Sequence, residues 1–310
     1  SAVDVEGAVF EISSLLLSDK SDSTLGQLQS IESRSDWPVP AREAILYQFT
    51  RTLATLPREA VPPNVIQYLQ DYRPRVLVPH QDHASAYVPL FNIRGAAAGV
   101  ENAWRRNEYA TEAGLLLATD PRAMVDVFVN SNDRVLLAAC LDALNQAEPA
   151  TVKAVQDIAV QQLDESPSLS RMIAATAALT LDIDAAEQLL ALGRGPGLAQ
   201  ALENLGVLPP SRISGLLEFA ISRAPAENAA LAMAAWWPLL RNEAKTRDLM
   251  IESLSDPKLG SAAALVLAQS PDIQTLKTLQ DTARGETAAA RRAQLALDIS
   301  RDTWPEEFRP

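Results

Sequence analysis

The chain has 310 residues, 47% hydrophobic but only 5% aromatic, and alanine and leucine dominate the apolar set, a balance that favours closely packed helices over a sheet. Its 39 acidic and 27 basic residues give a formal charge of −12, a field that repels a phosphate backbone and excludes nucleic acid as a partner. No window reaches the roughly 18 uncharged apolar residues of a membrane span, and the single cysteine, Cys140, cannot form an intramolecular disulfide.

From the N-terminus, Val5, Val9, Ile12, Leu15 and Leu16 fall at helical spacing, with Asp4 and Glu6 near the start, where the helix dipole favours negative charge. A second short helix is predicted over Thr24 to Ser33. Trp37-Pro38-Val39-Pro40 then forces an extended break, because a residue preceding proline avoids the helical region. Ala41 to Leu56 is amphipathic through Ile45, Phe49, Leu53 and Leu56, and Pro62-Pro63 opens a helix over Asn64 to Tyr72. These helices share no regular unit, so residues 1–92 are read as an irregular helical N-terminal cap on an array.

Residues 73–92, RPRVLVPHQDHASAYVPLFN, form the longest stretch without helical punctuation. Val76 to Val78 and Tyr87 to Phe91 have β character and are predicted to pair as a small hairpin, with Pro89 arguing for an edge. A long loop inside a compact array is commonly functional, which makes His80, His83 and Tyr87 candidate binding residues.

Helical pattern resumes at Ile93. Ala96 to Trp104 and Tyr109 to Ala118 are predicted as a first helix pair, with Arg105, Arg106 and Glu108 turning the corner. Beyond them, two interleaved ladders of prolines mark helix starts: Pro121, Pro149, Pro210 and Pro271 in one, Pro167, Pro196, Pro225 and Pro257 in the other. Proline is accepted in the first turn, where the N–H it lacks would have had no partner. First helices are predicted to begin near Pro121, Pro149, Asp182, Pro210, Asn242 and Pro271, and second helices near Asn132, Pro167, Pro196, Pro225, Pro257 and Glu286. The second helices carry runs such as Ala229-Ala230-Leu231-Ala232 and Ala262-Ala263-Ala264, and alanine lets helix axes approach closely. Arg301 to Pro310 is read as a polar tail, with Trp304 folding back on the last pair.

The proline ladders and the stretch Ser255 to Ser300, which reads as helix, turn, helix, turn, helix, resemble the HEAT-like, armadillo-type α-solenoids over about residues 93–300. The resemblance implies an all-α fold in which six or seven helix pairs stack as a right-handed α-α superhelix. It is an architectural likeness. Tetratricopeptide arrays fit less well, since their Trp, Leu-Gly, Tyr and Pro positions do not recur. HEAT-like units often place an Asp in the turn and an Arg early in the second helix; Asp133-Arg134 matches that pair and Arg171 occupies a comparable place, whereas the pattern lapses at Asn228, Gly260 and Ala289.

The residues offer little for catalysis. His80 and His83 flank Gln81-Asp82, but in a loop that spacing fixes no common face for a metal, and no cofactor is expected. No serine sits in a strand-to-helix elbow flanked by glycines. Gly193-Arg194-Gly195-Pro196-Gly197 lacks the Lys-Ser/Thr of a phosphate loop and follows a helix, so it is read as an interhelix turn. Glu101, Asp126, Asp142, Asp157 and Glu218 could line a groove or form a solvated face. Trp236 and Trp237 are the unusual pair: adjacent helical residues point about 100° apart, so one is placed in the core and the other either between helices or on a groove, as an aromatic anchor.

The reading that follows is a non-catalytic module that binds a protein or peptide partner, with Trp236, Trp237, His80, His83, Tyr87, Arg134 and Arg171 as its candidate binding residues. The alternatives are a structural subunit of a larger assembly and an enzyme or small-ligand binder on the same scaffold, since some HEAT-like proteins resemble base-excision glycosylases or bilin-handling lyases. The expected location is the cytoplasm or, after removal of a segment ahead of Ser1, an exported compartment.

Overall fold

A computed structural model describes residues 3–18, 21–81, 85–269 and 272–301. They form seventeen α-helices and one two-stranded sheet, so the protein is all-α. Among the described residues no helix is long and apolar enough to cross a membrane. The chain divides into two units, Ser1–Thr111 with Arg134–Ala139, and Glu112–Asp133 with Cys140–Pro310.

The first unit opens with α1 (Val5–Leu16), α2 (Thr24–Ser33), α3 (Val39–Leu53) and α4 (Pro63–Asp71). Asp4 caps α1 by accepting from the Gly7 N–H at 2.9 Å, satisfying one of the four N-terminal donors that lack helical partners. Helix α3 starts at Val39, with Pro40 tolerated in its first turn. α1 packs on α2 and α3, and α2 also packs on α4. Ile12, Leu28, Ile45, Leu46, Phe49, Leu53, Val65, Leu69 and Ile93 are fully buried in one core.

Strands β1 (Leu77–Pro79) and β2 (Tyr87–Pro89) pair antiparallel, Leu77 opposite Pro89, Val78 opposite Val88 and Pro79 opposite Tyr87. The predicted hairpin is therefore present. Hydrogen bonds from Leu90 N–H to Val76 O and from His80 N–H to Ala86 O set the register, so Pro79 and Pro89 both fall where an N–H would point away from the partner strand. Those are the positions at which proline costs the ladder nothing, and each removes a donor from an outer edge where another strand could add.

One predicted turn is absent. Ile93 to Thr119 is a single 27-residue helix, α5, where two helices were expected. Arg105, Arg106, Asn107 and Glu108 contain no glycine or proline and the arginines and glutamate are good helix formers, so nothing local interrupts the ladder there. One boundary between the two units falls within α5, after Thr111.

The remaining helices are α6 (Pro121–Asn130), α7 (Arg134–Gln146), α8 (Pro149–Gln162), α9 (Ser170–Thr180), α10 (Ile183–Leu192), α11 (Gly197–Leu205), α12 (Pro210–Arg223), α13 (Ala226–Leu240), α14 (Ala244–Ser253), α15 (Gly260–Gln269), α16 (Ile273–Ala283) and α17 (Ala288–Ser300). Every start lies close to a predicted position because the signals are local. Pro121, Pro149 and Pro210 occupy first turns, while Asp120, Asp182, Asp272 and Thr287 accept from N–H groups of the first turns of α6, α10, α16 and α17. Pro271 and residues 302–310, Trp304 among them, lie outside the described residues.

Within the second unit, packing skips alternate helices. α6 packs on α8, α8 on α10, α10 on α12, α12 on α14 and α14 on α16; α9 packs on α11, α11 on α13, α13 on α15 and α15 on α17. Contacts across the two series join α8 to α9, α12 to α13, α14 to α15 and α16 to α17. Helix α13 has neighbours on several sides, α10, α11, α12 and α15, and its sequence is accordingly apolar around most of its circumference.

Candidate functional site

The anticipated binding residues are dispersed. His80 donates its backbone N–H to Ala86 O on the hairpin, and Tyr87 stands 65% exposed on β2. His83 lies outside the described residues. Arg134, exposed at the start of α7, lines a cleft of about 370 Å³ with Gly99, Ala103, Arg106, Val135 and Ala138. Arg171 is half-buried in the first turn of α9 with its Nε enclosed and unpartnered. His80, Tyr87 and Arg134 belong to the first unit, Arg171, Trp236 and Trp237 to the second.

Trp236 and Trp237 are both fully buried. The groove position considered for one of them is not available: α13 is enclosed on enough sides that indoles pointing about 100° apart both meet neighbouring helices. Pro238 lies inside the helix, which continues to Leu240. The two rings still differ. Trp236 Nε1 donates to the Leu202 carbonyl at 2.8 Å, in the last turn of α11, whereas Trp237 Nε1 has no partner. Trp236→Phe should cost about 1 kcal/mol more than Trp237→Phe, because only the first leaves a buried carbonyl without its donor. Urea unfolding of the two variants measures the difference, and equal losses would contradict the assignment.

The Trp236 bond belongs to a wider pattern. The last carbonyls of a helix have no intrahelical partner, and in this protein distant side chains reach them. Asn228, buried at the start of α13, donates its Nδ2 to Leu190 O at 2.8 Å and Gly193 O at 2.9 Å, at the end of α10. Arg292 of α17 sends Nη1 to Leu254 O at 2.6 Å and Asp256 O at 2.9 Å, just past α14. In both cases the donor lies 38 residues after the leucine that accepts. In the first unit, Trp104 Nε1 donates to Leu56 O at 2.9 Å, beyond the end of α3. At Asn228, where the Asp-Arg pattern lapses, an amide thus clasps a helix end as the Arg292 guanidinium does. Gly260 is part of the same device: a Cβ there would stand 2.1 Å from Arg292 Nη1 and 2.6 Å from Leu254 O, so the bare backbone clears the route of the guanidinium.

The most completely furnished polar cleft lies between α8 and α10. It encloses about 410 Å³ and is lined chiefly by Lys153, Gln156, Asp157, Asp182, Asp184 and Gln188. Lys153, in the first turns of α8, bonds Asp182 at 2.6 Å and Asp157 at 2.8 Å. Asp182 simultaneously caps α10 through the Ala185 N–H at 3.0 Å. Only Leu181 and Asp182 separate α9 from α10, and the tight connection holds Leu181 in the left-handed region at φ 54°, with 57% of its surface exposed. An L-residue there carries a penalty of about 1–2 kcal/mol that glycine avoids, against an unfolded-state entropy cost of about 0.4–1 kcal/mol for glycine. Leu181→Gly should thus raise stability by up to about 1 kcal/mol in thermal or urea unfolding; a loss of that size would show that the leucine side chain contributes packing that offsets the strain.

Beneath these residues Gln156 is fully buried. Its Oε1 accepts from Thr180 Oγ1 at 2.9 Å, but its Nε2 has no hydrogen-bond partner. The charged groups above it are held ionised. Burial on its own would raise the Asp182 pKa, but the Lys153 ammonium, the Ala185 N–H and the nearby Gln156 amide outweigh it and hold the carboxyl below the ordinary range; the amide contributes from outside good hydrogen-bond geometry. Lys153 is pushed upward by its bonds to Asp157 and Asp182. Neither group is poised to exchange a proton near neutrality, and neither is a free nucleophile. Burial raises the Cys140 thiol to about 11, which leaves that sulfur inert as well. The cleft offers fixed charge and hydrogen bonding rather than acid–base chemistry.

Asp157 and Glu218 were expected either to line a groove or to form a solvated face. In the structure Asp157 pairs with Lys153 within α8, whereas Glu218 of α12 pairs with Lys245 of α14. The signal that could have located the cleft was the very short Leu181-Asp182 connection. Among the described residues no cluster of three or more His, Cys, Asp or Glu side chains is arranged to hold a metal ion. Compared with family models, curated proteins and solved structures, the chain has no significant match.

Proposed function

We propose that this protein is a HEAT-like α-solenoid that binds a protein or peptide partner and performs no catalysis of its own. The observation that supports this most directly is the alternate packing of the second unit, in which each helix rests on the next but one, so that the two series lengthen with every added pair. The right-handed superhelix of six or seven pairs is the arrangement to which such packing leads when the rotation per pair is small. The ionised state of Lys153 and Asp182 favours recognition over turnover at the most polar cleft.

The test is cross-linking mass spectrometry on the full chain in extract of its native cells. The expected result is one partner whose cross-links map to exposed positions of α8 to α17. Turnover of a small molecule with no partner recovered would overturn the reading.

A further inference from the structure

We infer that the side of the second unit where α9, α11 and α13 end is a docking surface for a basic amphipathic helix, whose apolar face lies across Leu181, Val207 and Leu239. The inference rests on the peptide-binding reading above and names the surface and the class of partner that fits it.

The placement follows from the connections. Two residues join α9 to α10 and α12 to α13, and four join α10 to α11 and α11 to α12. Links this short make successive helices antiparallel, so α9, α11 and α13, packed side by side, run the same way and end on the same side. At each of those ends a large apolar side chain is exposed. Leu181 follows α9, Val207 follows α11 with 77% of its surface exposed, and Leu239, 54% exposed, is the penultimate residue of α13. The last two adjoin, since a Cβ built on Gly206, next to Val207, would stand 3.0 Å from Leu239 Cδ1. Single exposed leucines are ordinary, whereas a row on neighbouring helix ends marks a contact surface. Leu181 supplies an independent reason. It holds a left-handed φ of 54° while most of its side chain lies outside the core, and strain kept where packing returns little points to a use outside the fold.

Spacing, backbone and charge define the occupant. Packed helices lie about 8–10 Å apart and seven residues of helix rise about 10.5 Å, so one heptad of an incoming helix steps from one end to the next. The turns bond their own main chain: Asp182 N–H donates to Ala177 O, Leu208 N–H to Leu205 O and Arg241 N–H to Trp237 O. The contact is therefore made chiefly by side chains, which suits a helix, whose backbone is satisfied internally, better than an added strand. The second unit holds 26 acidic against 16 basic residues, and the first 13 against 11. Asp184 and Glu203, both exposed, lie within four residues of Leu181 and Val207. Basic flanks on the incoming helix complement that charge, whereas a second copy of this chain would bring the same negative excess.

The probe is an end-blocked, fluorescein-labelled peptide of three heptads, with leucine at the first and fourth positions of each and lysine and glutamine elsewhere. It is titrated with the full chain by fluorescence anisotropy, beside a peptide of the same composition in scrambled order. The ordered peptide is expected to bind about tenfold more tightly than the scrambled one and to gain helical circular dichroism on binding. Val207→Ser and Leu181→Gly should each weaken it by about five- to tenfold, the loss of one partly buried aliphatic side chain, and Glu203→Gln by about twofold. Leu181→Gly is the sharper variant, because the fold gains stability from it while the surface loses affinity. Leu192→Ser, exposed at the end of α10 on the opposite side, should leave affinity unchanged.

Equal binding of the ordered and scrambled peptides, or equal losses at Leu192 and Val207, would reduce the attraction to diffuse charge and overturn the surface. A dimer of the protein in sedimentation that Val207→Ser dissolves would give the surface to a second copy and overturn the occupant. Failure of the ordered peptide to bind, with a native partner cross-linked elsewhere on α8 to α17, would sink this inference and leave the proposed function standing. Peptide binding as described with no native partner recovered would do the reverse.

Discussion

Replacing Glu43 with alanine should destabilise the protein by about 3 kcal/mol. Glu43 lies within α3 and its carboxyl-bearing side chain is fully buried. Its Oε1 accepts from the Arg75 backbone N–H at 2.6 Å and from Tyr72 Oη at 3.4 Å, and its Oε2 from the Val76 N–H at 3.4 Å. A buried carboxylate persists only where donors replace the water it gave up. Here the donors belong to the segment that leaves α4 and enters β1, so the interior of α3 holds the root of the hairpin. Truncation strands two backbone donors and a phenol, each worth about 1 kcal/mol or more when left unpaired in the interior. Thermal unfolding gives the total, and amide hydrogen exchange at Arg75 and Val76 localises it. Faster exchange confined to those amides and to the hairpin is the expected result; a loss below about 1 kcal/mol would show that water replaces the carboxylate readily.

The surrounding network explains why the root is held so firmly. Glu32 accepts from Tyr68 Oη at 2.5 Å and pairs with Arg75 at 2.9 Å, while its backbone carbonyl receives Arg42 Nη1 at 2.5 Å. Burial, and then the Glu32 carboxylate beside it, pushes the Tyr68 phenol upward, and burial with Glu43 does the same to Tyr72. Both phenols therefore stay protonated and remain donors throughout the physiological range. The ion pair is partly exposed and contributes little by itself; the enclosed Glu43 side chain is what decides.

Gly260→Ala is the second large expectation, a loss of about 2–4 kcal/mol in the second unit from the addition of one methyl group. The new Cβ would meet the Arg292 guanidinium at 2.1 Å and the Leu254 carbonyl at 2.6 Å. The end of an arginine can swing away, but the backbone carbonyl cannot, so the substitution both overpacks the α15 start and expels the donor that Leu254 O and Asp256 O share. Helix propensity argues the other way, since alanine is favoured over glycine in a helix by about 1 kcal/mol. The sign of the measured change therefore discriminates between the two effects. A double-mutant cycle with Arg292→Ala completes the test: if the glycine exists to admit the guanidinium, the two losses are strongly non-additive, with coupling of about 1 kcal/mol or more. Additive losses would separate the glycine from the arginine.

The two expectations also mark where the sequence was legible. Helix starts could be read because their causes are local: a proline that needs no N–H, an aspartate or threonine that accepts from N–H groups three residues on or fewer. The hairpin was visible through Val76 to Val78 and Tyr87 to Phe91 for the same reason. What escaped was everything settled between elements. Nothing near Glu43 in the chain announces that its donors lie some thirty residues later. Asn228 and Gly260 looked like interruptions because an arginine was expected at a fixed place in each unit, whereas the physical requirement is only a donor that reaches an orphan carbonyl, and either an amide or a guanidinium fulfils it. One of the two tryptophans was offered a groove because one helix considered alone must have an outside; α13 among four neighbours has little of one. The α8–α10 cleft required knowing that Gln156 and Asp182 meet across two helices, which no spacing along either reveals.

The grip of side chains on distant helix ends has a consequence for how the sequence can drift. At each clamp one party contributes a side chain and the other only a main-chain oxygen. Leu190, Leu202, Leu254 and Asp256 serve as acceptors through an atom that every amino acid possesses, so no substitution at those positions deletes the clamp itself. The whole chemical specification rests on Asn228, Trp236 and Arg292. Their partners leave no trace in the alphabet of residues, and a comparison of side-chain identities alone would record half of each bond.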